Sequence, residues 1–350
     1  MRLSLASALR IGCGALLIGW LLWQAAGSDT LGQLRTTPPD LGWLALAWLG
    51  VMGALTLSIM RWRSVVLAAG IDLSVVEALR LGALGYACNF VALGSVGGDV
   101  VKATLLAKPR PGQRTAAVTT IFVDRLFGLL GFLSYASLAV LLTGVAAVEE
   151  PSPLRLLSRS TLVAAALAWA SFAVAMAPGR LVERFAGTLS GAPGIGGVAE
   201  RAAEIAATYH DRRGRLFAAL AFGLSMNGTF ILSFFAAAKS LPLLTPGLAD
   251  HFLAVPLTAI SGTLPISPNG LGTMEATAEY LYRALSPESP VGAGTLASLC
   301  HRLAMVLAGV CAAVSYYASG GRRLDEEIAE AASANNTTAP EEGSGTAEAS

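Results

Sequence analysis

The chain has 350 residues, of which 54% are hydrophobic and only 13% charged, and its mean hydropathy is +0.61. A net charge of +1 says nothing about nucleic acid, and no basic-aromatic module appears, so no nucleic-acid partner is expected. Cys13, Cys88, Cys300 and Cys311 fall in apolar segments without CxxC spacing, and His210, His251 and His301 lack HExxH spacing. A disulfide framework, a metal site and a cofactor are therefore not expected.

Several apolar runs reach the ~20 residues needed to cross a bilayer core, so the expected class is an all-α polytopic membrane protein. Arg2 and Arg10 precede a run from Ile11 to Ala26 that carries Trp20 and Trp23 near its end, as an interfacial aromatic belt would. It reads as a first span, with a cleaved signal peptide as the alternative. A second span, about Leu41 to Met60, is closed by Arg61 and Arg63.

Val76 to Lys108 behaves differently. Its apolar centre is short and glycine-rich, interrupted by Asn89 and ended by Gly97, Gly98 and Asp99. Basic residues flank it on both sides: Arg61, Arg63 and Arg80 before, then Lys102, Lys108, Arg110 and Arg114. A full crossing would put one cluster outside, against the positive-inside bias. A re-entrant helical hairpin resolves the conflict, and a simple span with a charge imbalance is the alternative.

A span from about Ala116 to Leu142 follows, with Asp124 and Arg125 in its first turns. The outer loop holds Glu149, Glu150, Pro151 and Pro153, and a further span covers Thr161 to Ala177. A basic segment with Arg180, Arg184, Arg201, Arg212, Arg213 and Arg215 comes next. Within it, Val198 to Tyr209 has amphipathic spacing suited to a surface helix or a solvated loop helix. Leu216 to Ala238 and Val291 to Tyr317 supply the last two spans.

Between those two spans, Pro265, Pro268, Asn269, Gly270 and Gly272 break an apolar run, and a helix with Glu275 and Glu279 restarts after them. Irregular backbone at membrane depth is tolerated only where protein buries it or it lines a wet cavity. The restarting helix would offer N–H groups and a positive dipole end to an anion. A proline-glycine loop at the membrane surface is the other reading. His251 to Ile266 is short for a crossing and contains Pro256, so Asp250 to Arg283 reads as a second hairpin, inserted opposite to the first.

The layout is then about six full spans plus two oppositely inserted re-entrant helical hairpins. It suggests an inverted pseudo-repeat with a site where the breaks meet. Of 24 basic residues, Arg35, Arg155, Arg159, Lys239 and Arg283 fall outside, Arg125 and Arg302 within spans, and the rest on the cytoplasmic side. Both termini are expected to be cytoplasmic. Residues 1–320 form the membrane domain, and residues 321–350 an acidic, disordered tail.

Four motifs carry a family resemblance. SPNGLGTMEA (Ser267 to Ala276) resembles the P-x-G-G-L-G-x-x-E signature of the lysylphosphatidylglycerol synthase transmembrane-domain family, also called flippase-like. NFVALGSVGGDVVKATLL (Asn89 to Leu106), VDRLFGLLGF (Val123 to Phe132) and CHRLAMVLAG (Cys300 to Gly309) are similar to its other motifs, in the same order. Gly94 stands where the family has proline, Lys102 where it has arginine, and Asn269 in place of a glycine. Lys102 keeps the charge but loses a bidentate fork for phosphate. The resemblance implies a membrane unit that moves or accommodates anionic or amine-bearing lipids, near lipid and glycan biosynthesis. It does not imply tRNA use or aminoacyl transfer, which belong to a separate soluble domain for which the sequence after residue 320 has no room.

The candidate substrate-binding residues are Asn89, Gly97, Gly98, Asp99, Lys102, Asp124, Arg125, Pro268, Gly270, Gly272, Glu275 and Arg302. A charge at membrane depth costs at least ~2.5–3.5 kcal/mol, so each must be paired or face water. Either Arg125, Arg302 and Lys102 meet a lipid phosphate, or Asp99–Arg125 and Glu275–Arg302 are internal bridges; the two are compatible if substrate exchanges with a bridge. The expected function is lipid translocation of an anionic or amine-bearing phospholipid or lipid-linked glycan, without enzymatic activity, in the cell membrane. The alternative is a scaffold for a lipid-modifying or glycosyltransferase enzyme. Ser261 with His301 is weighed as an intramembrane-protease pair and does not fit the G-x-S-x pattern, because Ala259 stands at its first position.

Overall fold

The computed structural model describes residues 36–91, 97–109, 112–144, 153–177, 212–263 and 267–318, with positions 19–21, 23–24, 32 and 209 besides. The first expected span, Gly94, the Glu149–Pro151 loop, the amphipathic segment before Tyr209 and the acidic tail lie essentially outside the described residues. Those described form nine α-helices: α1 (Leu41–Ala68), α2 (Val75–Val91), α3 (Gly97–Ala107), α4 (Arg114–Thr143), α5 (Pro153–Ala175), α6 (Arg213–Lys239), α7 (Leu248–Gly262), α8 (Thr273–Leu285) and α9 (Ala293–Ala318). Five of them, α1, α4, α5, α6 and α9, are long and apolar enough to cross a membrane. The protein is an all-α, multi-pass membrane protein.

Local chemistry sets the ends. Pro38 and Pro39 precede Asp40, whose carboxylate accepts from the Gly42 and Trp43 N–H groups at 2.7 and 3.2 Å and caps α1. Gly144, at φ 67°, closes α4. Two expected boundaries are corrected. Helix α1 runs past Met60 to Ala68, carrying Arg61 inward, because Ala54, Arg61, Val65 and Ala68 share a buried helical face. Helix α5 starts at Pro153, so Arg155 and Arg159 lie in its opening turns rather than in a loop. Proline suits a first helical position, where its missing N–H is not needed.

Among the described residues, α1–α4 and α6–α9 form two like-ordered quartets, each long, short, short, long, with α5 between them in sequence. The leading helices α1 and α6 pack antiparallel. Asp40 N–H donates to Ser240 O at 2.8 Å at one end, Gly50 and Gly53 lie against Ser233 and Thr229, and Arg61 passes Gly223. In lipid, apolar surface gives little drive for helices to associate, so close approach at such small residues supplies the packing.

The antiparallel arrangement inverts the second quartet. The α2–α3 pair begins and ends where Ile71, Leu73, Leu106 and Ala117 cluster with Trp62 and Val66. The α7–α8 pair does so where Leu241, Tyr282 and Ala293 cluster with Phe234 and Ala238, at the other end of the bundle. The two pairs therefore enter from opposite ends, each made of helices shorter than a crossing. Pro256 lies inside α7, where it removes one backbone hydrogen bond.

Candidate functional site

In each pair the helices meet at glycine. A Cβ on Gly98 of α3 would overlap the Gly85 carbonyl of α2, and the Gly98 N–H donates to Asn89 Oδ1 at 3.0 Å. In the second pair a Cβ on Gly270 would lie 2.5 Å from Gly262 Cα. Asn269, Gly270 and Gly272 all have positive φ (51°, 66° and 87°), so the turn after Pro268 is built on backbone conformations that favour glycine. Glycine adopts that region without steric cost.

Each pair then places an acid at the third residue of its second helix and draws an arginine from the next long helix. Asp99 Oδ2 accepts from Arg125 Nε at 2.7 Å, 26 residues on; Glu275 Oε1 accepts from Arg302 Nε at 2.9 Å, 27 residues on. Both bridges anticipated from the sequence are formed. The spacings, 26 and 27 residues, support the pseudo-repeat that the helix order indicates.

The surroundings of the two bridges differ. Glu275 is completely buried and saturated: Oε2 accepts from Gly272 N–H at 2.6 Å, and Oε1 also from Ser298 Oγ at 3.3 Å. Arg302 donates further to the Asn269 and Gly270 carbonyls, both at 3.2 Å. This corrects one expectation. The Gly272 N–H at the start of α8 does not await an anionic ligand, because Glu275 three residues on caps it and supplies the negative charge itself. Glu279 does the same for α9, accepting from Gly292 N–H at 2.8 Å and Thr295 N–H at 3.1 Å.

Asp99 instead serves two cations, with Lys102 Nζ at 2.9 Å from Oδ1. Lys102 lies 5.3 Å from the centre of the Trp62 ring, within cation–π range. The Arg125 side chain is 47% exposed, against 14% for Arg302. Asp124 faces a different partner from its neighbour: it takes a two-pronged contact from Arg61, Nε to Oδ1 at 2.8 Å and Nη2 to Oδ2 at 3.2 Å, with both side chains nearly inaccessible.

A cavity of about 270 Å³ lies between the two breaks, and Asn89, Asp99, Lys102, Asp124 and Arg125 line it together with Arg61. Asn269 and Met274 contribute the wall from the second pair. Of the expected site residues, these first five share one space. Gly97 and Gly98 form the start of α3 beside it, and Pro268, Gly270, Gly272, Glu275 and Arg302 build the turn that presents Asn269. Arg61, Trp62 and Tyr86 were not anticipated. The signal for Arg61 was its place on the buried face of α1, at helical spacing from Ala54 and Val65.

Three cations and two carboxylates on the lining leave one net positive charge. An anion fits that balance. Ser261 and His301 have separate partners: Ser261 Oγ donates to Thr258 O at 2.7 Å, and His301 Nε2 meets Ser233 Oγ at 2.7 Å between Phe230 and Phe234. Among the described residues no group of three His, Cys, Asp or Glu side chains could hold a metal ion.

Comparison with curated proteins finds no match. The family model described as lysylphosphatidylglycerol synthase TM region matches residues 5–313. That span includes both quartets almost whole, and the chain belongs to this family.

Proposed function

We propose that this protein is a lipid translocase that takes an anionic phospholipid headgroup into the cavity between its two broken helix pairs. The observation that carries the reading is Asp99, shared by Lys102 and Arg125 on a lining with one excess positive charge. An arriving phosphate can take Arg125 while Lys102 still holds Asp99, so no charge is left alone at depth in either state. Arg61–Asp124 and Glu275–Arg302 are neutral pairs that hold the walls, and the second positions the turn rather than the substrate.

The two inverted quartets, with breaks meeting in the middle, supply the architecture in which one half can rock against the other around a central site. By the positive-inside bias, the α2–α3 pair opens toward the cytoplasm, and the protein resides in the cell membrane with cytoplasmic termini. Reconstitution into vesicles with head-labelled anionic and zwitterionic lipids tests the reading. Wild-type protein should move the anionic lipid faster than empty vesicles do, and Arg125→Gln should abolish the gain. Background movement for every lipid, with a lipid-modifying or glycosyl-transferring enzyme co-purifying, would replace translocation with a scaffold role.

A further inference from the structure

The end of the bundle at which α1 and α9 finish carries an excess of exposed arginine. These two helices run in the same direction, since Ala47 packs with Cys300 and Val51 with Ala304 and Ala308. The turn from α1 to α2, the close of α3 and the start of α4 meet at this end around Trp62, Ile71, Leu106 and Ala117. The start of α6 joins them, because a Cβ on Gly70 would lie 2.5 Å from Arg212 Nη1. Arg80, Arg114, Arg212 and Arg215 are all exposed there, and the acids at the same end among the described residues are Asp72 and Glu77.

The chain leaving α9 supplies the opposite charge. After Arg323 it holds Asp325, Glu326, Glu327 and Glu330, then three further glutamates, and no basic residue. Asp325 is seven residues beyond Ala318, a reach of up to about 24 Å. Packed helices lie ~8–10 Å apart. Helix α2, which adjoins α9 through the Tyr86–Met305 hydrogen bond, is therefore within reach. So is α4, which like α9 packs on α1. A segment tethered at that range is present at an effective concentration on the order of millimolar, above that of a free acidic partner. Its carboxylates are repelled by an anionic leaflet and attracted by the arginines.

We infer that residues 325–330 of this chain dock on the basic end of its own bundle. Their carboxylates rest against Arg80, Arg114 and Arg215 and cover that end against other acidic partners. Docking of this kind is independent of lipid movement.

The test is digestion of the full chain, one copy per phosphatidylcholine nanodisc, by a glutamate-specific protease. Cleavage after Glu326, Glu327 and Glu330 is followed by mass spectrometry, and a synthetic peptide of residues 319–350 gives the undocked rate at each salt concentration. Docking should slow cleavage about five-fold or more against the peptide at ~0.1 M salt, and the protection should vanish at ~1 M, where screening acts beyond ~3 Å. Arg80→Gln, Arg114→Gln and Arg215→Gln combined should remove the protection at ~0.1 M salt, with folding checked by size-exclusion chromatography. If that variant does not fold, the salt dependence of the wild-type chain decides. Cleavage at the peptide rate in ~0.1 M salt overturns the docking, as does protection that survives either ~1 M salt or the folded triple variant. Capture of added phosphatidylglycerol vesicles by the nanodiscs, with the tail cut at the peptide rate, would assign the basic end to an anionic membrane surface instead.

Discussion

The two broken helix pairs share a plan and divide its uses. Both have a glycine contact, an acid at the third residue of the second helix and an arginine 26 or 27 residues later. In the second pair the acid is sealed and every partner it has belongs to the protein, including the backbone of its own turn. In the first, a lysine is added, the arginine is half exposed and the acid lines a cavity. The two ion pairs differ in their setting: the carbonyls of the turn close around Arg302, whereas the Arg125 side chain is half exposed beside a cavity.

The largest effect should come from the sealed side. Arg302→Gln strands Glu275 with no charge partner and releases two carbonyls, at a cost of about 3–5 kcal/mol. Thermal aggregation followed by size-exclusion chromatography should show little folded protein. The exchange Arg302→Glu with Glu275→Arg should not rescue it, because arginine at 275 cannot accept the Gly272 N–H and glutamate at 302 cannot donate to Asn269 and Gly270. A rescued, folded exchange protein would mean that the charge pair alone holds the turn.

Gly270→Ala comes next. Its Cβ would press on Gly262 backbone in a left-handed residue, adding overpacking of about 1–3 kcal/mol to a conformational cost of about 1–2 kcal/mol. A melting temperature equal to wild type would show that the α7–α8 approach is loose.

Arg125→Gln should behave in the opposite way to Arg302→Gln. Lys102 keeps Asp99 paired when Arg125 is lost, and the Arg125 side chain is half exposed, so the protein should stay folded while losing anionic-lipid movement. Loss of folding equal to that of Arg302→Gln would erase the difference between the pairs. The smallest effect is expected for Ser261→Ala, whose hydroxyl donates only to carbonyls of α7 and of the start of α8. Stability within about 0.5 kcal/mol and unchanged lipid movement are expected; a loss of lipid movement in folded protein would bring Ser261 into the site.

The legible part of the fold is the part that depends on depth. Apolar runs and their flanking charges marked the described spans to within a few residues, save the starts of α5 and the end of α1. The glycine, proline and asparagine clusters marked both breaks: Gly98 makes the close contact described beside the first, and Asn269, Gly270 and Gly272 take positive φ at the second. Five residues that line the cavity, Asn89, Asp99, Lys102, Asp124 and Arg125, were readable as polar groups at depths where polarity is costly.

Tertiary structure alone decided which of these groups face one another. Hydropathy reports how deep a residue lies and says nothing of the helix rotation that aims it. Asp124 and Arg125 are adjacent in sequence and about 100° apart around their helix, and so one meets Arg61 and the other Asp99. The capping of Gly272 by Glu275 likewise depended on the turn that brings donor and acceptor to 2.6 Å. From the sequence came the charges and their depth; only the antiparallel packing of α1 on α6 decided which charges are sealed among protein groups and which line the cavity.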